Sequence, residues 1–134
     1  MPDWPPGTAA VLSTAGGPPH AIPVSTAVRA GPRRILLALA RRRESLARLR
    51  ADPACALTVL AGDLAFTADG RASVVADPMT VVESVVAVAI DVAEIHSHAD
   101  PRFAIEAGVR WRWTDPAAAA QDAAIHEALR ALAG

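Results

Sequence analysis

Ile35-Leu-Leu-Ala-Leu-Ala40, then Arg41-Arg-Arg-Glu-Ser45, then Leu46-Ala-Arg-Leu-Arg-Ala-Asp-Pro53 is the stretch on which the fold turns. Its apolar opening carries no helical caps and suits a strand buried on both faces. The arginines close that strand. Ser45 stands where it can act as N-cap of a short helix, and Leu46 and Leu49 share one helical face. Asp52-Pro53 ends the helix, because the residue before a proline is pushed out of the helical region. A helix start beside three guanidiniums presents free N–H groups and the positive end of the dipole, which is a seat for an anion such as phosphate. A plainly solvated basic helix end is the competing reading.

The chain has 134 residues, 52% hydrophobic and 20% charged, which describes one globular domain over 1–134. No internal repeat or linker divides it. A net charge of −1 argues against a dedicated nucleic-acid binder. The basic residues are nonetheless clustered: all thirteen are Arg, and seven fall between Arg33 and Arg50. The single cysteine, Cys55, excludes an internal disulfide and suits a reducing, cytoplasmic setting. Its apolar neighbours mark it as a buried structural thiol. No charged start leads into a long apolar run, so neither a signal peptide nor a membrane span is expected.

Working outward, residues 1–7 are proline-rich and read as a loose arm. Thr8 to Thr14 is a strand, stopped by the turn Ala15-Gly16-Gly17-Pro18-Pro19. His20 to Val28 resumes extended character, and Ala30-Gly31-Pro32 turns into Ile35. Short connections of this kind favour antiparallel pairing. After Pro53 come Ala54 to Ala61 and Leu64 to Asp77, the latter a strand pair or one bulged strand about Asp69-Gly70. Val81 to His98 is the longest extended segment. Val86, Val88, Ile90 and Val92 fall on one parity, with Ala87, Ala89, Asp91 and Ala93 on the other, a period of two. Ala104 to Trp113 ends in another alternation. Asp115 as N-cap and Pro116 at the first position start a C-terminal helix over 115–133, with Ile125, Ala128, Leu129 and Leu132 as its apolar stripe.

Six or seven strands, a short helix after the third and a helix at the end make a mainly β chain, a closed or split antiparallel barrel. The order and spacing of Ala10-Val-Leu-Ser-Thr14, Pro19-His-Ala-Ile-Pro-Val-Ser25, Leu46 to Pro53, Ala56-Leu-Thr-Val59 and Gly70 to Asp77 resemble the FMN-binding split-barrel family. That group takes its name from pyridoxamine 5'-phosphate oxidase, and this chain is similar to its small actinobacterial-type members.

The resemblance implies a homodimer with a flavin in each of two interface clefts. Carried over, Arg41, Arg42, Arg43 and Ser45 face the flavin phosphate, and Pro23, Val24, Ser25 and Thr26 line the ring edge. Phosphate calls for charge-assisted donors, and arginine supplies them as a planar fork. Two departures are visible. Family members often carry an Arg-Lys pair where this chain has Glu44-Ser45. The Arg-x-x-Leu-Leu-Lys pattern of the true oxidases is replaced by Val24-Ser-Thr-Ala-Val-Arg29, so that reaction is not assigned.

Trp111 and Trp113 share a parity and are expected to stack on a flavin, to anchor the dimer, or to pack on the last helix. Glu94, His96, His98 and Asp100 alternate in continuation of the apolar parity; a polar strand end outweighs metal ligands there, and no metal site is assigned. His20 and His126 are expected at the surface. The resulting expectation is a flavin-dependent oxidoreductase that exchanges a hydride with a small substrate. FMN, the deazaflavin coenzyme F-420 or an empty site are the cofactor alternatives, and no catalytic side chain is identified. A non-catalytic flavin or haem carrier on the same dimer, and an anion-binding barrel, are the rival readings. The excess of apolar surface on Ala54 to Ala61 and Val86 to Val92 is taken to favour the dimer.

Overall fold

A computed structural model describes all residues, 1–134. Nine elements follow in order: β1 (Ala10–Thr14), β2 (His20–Val24), β3 (Val28–Gly31), β4 (Arg34–Ala40), α1 (Glu44–Ala51), β5 (Ala54–Ala61), β6 (Leu64–Ala76), β7 (Val85–Ser97) and α2 (Pro116–Ala133). The strands form one antiparallel sheet in the order β2-β1-β5-β6-β7-β4-β3. Its edge strands, β2 and β3, are consecutive in the chain. The sheet therefore curls without closing into a continuous ladder, which is a split barrel.

The alternation on β7 sorts the core into two. Val86, Val88, Ile90 and Val92 point inward with Leu12, Leu57 and others. Ala87 and Ala89 point outward and meet Leu36, Ile125 and Leu129 under α2. This sandwiching explains why β4 is apolar on both faces: Ile35, Leu37 and Leu39 fill the barrel while Leu36 faces the helix. It also leaves Val86 to Ile90 and Val92 buried within their own chain, so the apolar excess there gives no support to a dimer.

Several sequence expectations are corrected. His20 to Val28 is two strands, because Thr26 turns its hydroxyl onto the Ala38 backbone, donating at 3.1 Å and accepting at 2.9 Å. The short helix thus follows the fourth strand. Residues 1–7 are not loose: Trp4 is 7% exposed, packs at 5.9 Å from Phe66 and donates from Nε1 to the Ala27 carbonyl at 2.8 Å.

Ala104 to Trp113 forms no strand. The strand it lies against, β5, already pairs with β1 and β6 and has no free edge, so Gly108 rests directly on the Leu60 carbonyl instead. On α2 the Asp115 cap holds, accepting from Ala117 N at 3.0 Å. His126 is buried, however, while Leu132 is exposed.

Leu64 to Ala76 is one strand rather than a hairpin; its own extra residue is Val75, and the irregularity opposite Asp69-Gly70 lies on β7. Asp69 pairs with Glu94 but Gly70 pairs with Val92, so Ala93 is the extra residue. A side chain on Gly70 would collide with the Asp91 carbonyl, and only glycine allows that approach. The bulge reverses parity. Ile95 goes to the core, and Glu94 and His96 turn outward instead of continuing the apolar face.

Candidate cofactor site

The basic corner is built by three backbone contacts. Arg41 N–H donates to the Ser84 carbonyl at 2.9 Å, Arg43 N–H to Ala40 at 3.0 Å, and Leu46 N–H to Arg43 at 3.1 Å. The N-cap of α1 is Arg43, not Ser45, and no side chain caps the helix. Its first N–H groups are therefore left for an external acceptor.

Ser45 lies inside the first turn, 1% exposed, with its Oγ 3.1 Å from His20 Nε2. That bond removes Ser45 from the solvent-facing corner, and His20 is half-buried rather than at the surface.

The arginines divide into spent and unspent. Arg41 meets Asp77 at 3.3 Å, and Arg50 meets the same carboxylate at 2.8 Å. Arg48 donates to the Pro18 carbonyl at 2.6 Å and holds Glu44 at 3.3 Å. Glu44 Oε2 is also 3.8 Å from His20 Nδ1. Its negative charge is thus drawn along the flank of α1 rather than left pointing at the corner. Arg42 and Arg43 are exposed and make no ion pair, and Arg42 lines an open basin of about 700 Å³ with Glu83 and Ser84. These two are the cations available to an anion.

Of the ring-edge set, Val24 is buried in the barrel and Thr26 is committed to Ala38, while Pro23 and Ser25 reach outward. Ala38 lies just before the corner, so Thr26 comes within one strand end of Arg41. Trp111 and Trp113 do not join them. They contact each other edge-on at 5.3 Å, and Trp111 Nε1 donates to the Gly7 carbonyl at 2.8 Å. That position is beside Leu60, roughly 20 Å along β5 from the strand end that α1 abuts.

On the outer face of β6 and β7, His96 Nε2 is 2.8 Å from Asp69 and 3.4 Å from Glu94. His98 instead bonds Thr67 at 2.8 Å, and Asp100 is held below the usual carboxylate range by its hydrogen bonds from Arg102. The four expected neighbours are therefore not one cluster, and Asp69 becomes the partner of His96 only through the pairing of β6 with β7. Asp77 was missed too; a carboxylate at a strand end between Arg41 and Arg50 is legible only once α1 is placed. Cys55 is half-buried, and burial, then the charge of Asp69, raises its pKa from 9.0 to about 11.

No protein-family model and no curated protein sequence matches the chain. Solved structures do. A candidate pyridoxamine 5'-phosphate oxidase from Listeria innocua is similar with a TM-score of 0.57 and 16% identity, over 68% of this chain and 88% of that one. The chain has the split-barrel fold of the pyridoxamine 5'-phosphate oxidase-like proteins. An F-420 reductase shares this split barrel with a TM-score of 0.58 and 14% identity, over 66% and 89% of the two chains. A heme binding protein from Mycobacterium smegmatis shares it at 0.55 and 14%, over 67% of this chain and 48% of that one. Proteins that share this split barrel thus include an F-420 reductase and a heme binding protein.

Proposed function

We propose that the protein is a homodimeric flavin-type oxidoreductase that holds FMN or a deazaflavin coenzyme at the basic corner. The observation that carries this reading is the uncapped start of α1 beside Arg42 and Arg43, which have no protein partner. Charge-assisted bonds from two such guanidiniums contribute about 1.5–3 kcal/mol each to holding a phosphate. Ser25, with the adjoining backbone, supplies polar groups toward a flat ring. A bound flavin or deazaflavin contributes hydride chemistry. The chain's residues anchor the phosphate, orient the ring edge and keep Glu44 turned aside through Arg48.

The dimer finds support in an apolar surface away from β7. Leu60, Val109, Trp111 and Trp113 are exposed together beside β5, with Val109 at 72%. The experiment is the visible spectrum of the purified protein, followed by titration with FMN, F-420 and haemin. A flavin-type band, or saturable binding of FMN or F-420 in preference to haemin, supports the reading. Preference for haemin turns it into the haem-carrier alternative; a heme binding protein from Mycobacterium smegmatis shares the fold. Turnover with a reduced nicotinamide then separates enzyme from carrier.

A further inference from the structure

The cleft between α1 and β6 has a chemistry that the flavin reading does not use. Its interior is an apolar slot of about 210 Å³, lined by Leu46, Leu49, Pro53, Ala72, Val74 and Val88. At its mouth Arg50 also borders a neighbouring hollow of about 260 Å³, shared with Arg41 and Asp77. Arg50 Nη2 donates to Asp77 Oδ2 at 2.8 Å, and Arg41 Nε stands 3.3 Å from Oδ1. Neither guanidinium makes another side-chain hydrogen bond. Two cations therefore share one carboxylate. One positive charge is left uncompensated, and most of the donors on each fork are unspent.

The geometry points to a binding site for a short-chain carboxylic acid. Its carboxylate completes the Arg41–Asp77–Arg50 set, and its hydrocarbon tail enters the slot over Leu46 and Val88. At about 30 Å³ per water-sized group the slot takes roughly six to eight heavy atoms, the size of butanoate to hexanoate. Charge complementarity selects the acid over the alcohol of equal length, and the apolar lining selects it over inorganic anions. The slot lies between α1 and β6, whereas Arg42 lines the basin beside Ser84; Arg41 borders both that basin and the hollow at the slot's mouth. The proposal does not rest on the flavin reading.

The test is calorimetric titration of hexanoate, butanoate and hexan-1-ol into the full chain without flavin. Saturable binding of hexanoate with a dissociation constant on the order of millimolar or tighter is expected, with hexan-1-ol much weaker. Arg50→Gln should weaken hexanoate by about tenfold, and Asp77→Asn, which frees both guanidiniums, should tighten it by a similar factor. Ala72→Leu fills the slot while leaving the ion set in place and should abolish binding. It decides the matter if Arg50→Gln fails to fold, as judged by circular dichroism. No saturable heat, equal binding of the alcohol, or unchanged affinity in Ala72→Leu overturns the proposal. A colourless protein that ignores FMN but binds hexanoate would sink the flavin reading and leave this one standing.

Discussion

His20 Nε2 lies 3.1 Å from Ser45 Oγ, joining the first residue of β2 to the first turn of α1. Arg48 runs parallel to this bond, donating to the Pro18 carbonyl at 2.6 Å. The basic corner is thus fastened to the β1–β2 turn from two sides, and its orientation depends on residues that do not touch an anion. His20→Ala leaves a buried hydroxyl without a partner and should cost about 1–3 kcal/mol, whereas Ser45→Ala removes that hydroxyl and should cost less. Urea unfolding of the two variants checks the order. Equal losses would mean that the bond contributes nothing beyond packing.

Glu44 makes the second prediction. It is held at 3.3 Å by Arg48, four residues along the helix, and so consumes part of a cation near the proposed phosphate seat. Glu44→Lys reverses that charge and should tighten FMN by about tenfold, equivalent to 1.4 kcal/mol. Fluorescence titration of wild type and variant reads it directly. Unchanged dissociation constants would show that Glu44 serves only the helix dipole.

Cys55 yields a prediction in pH. Burial raises its pKa from 9.0 to about 11, so the folded protein keeps the thiol neutral after the unfolded chain has ionised it. Its contribution to stability is complete below pH 9.0 and is lost as pH rises toward 11. Thiol labelling of the native protein near pH 9 should therefore be much slower than that of the urea-unfolded chain. Equal rates would place Cys55 at the surface.

What the sequence made legible follows from which interactions are local. The alternation of Val86 to Val92, the run Ile35 to Ala40 and the Asp115-Pro116 helix start are written into neighbouring residues, and the split barrel follows from their order. What was not legible depends on partners far along the chain. Ser45 has the chemistry of a cap but is claimed by His20. Trp113 and Trp111 alternate as in a strand but lie against β5, which has no free edge. Ala93 bulges because Gly70 opposite lets the backbone close in, and this one residue moves Glu94 and His96 from the expected face. Trp4, isolated among prolines, gave a signal of its own: a lone large aromatic in an arm is a candidate anchor.

The exposed strip beside β5 supplies the fourth prediction. If Leu60, Val109 and Trp111 meet a second copy, the protein sediments as a dimer at micromolar concentration and Val109→Asp shifts it to monomer. A wild-type monomer across that range would remove the interface cleft from the account.

The most direct test of the central claim compares two ligands that differ only in the phosphate. With Arg42→Ala and Arg43→Ala combined, FMN should lose affinity by about a hundredfold or more, from two charge-assisted contacts of about 1.5–3 kcal/mol each, while riboflavin should change little. Equal losses for FMN and riboflavin, or no loss for either, would contradict the assignment of this corner as the phosphate seat.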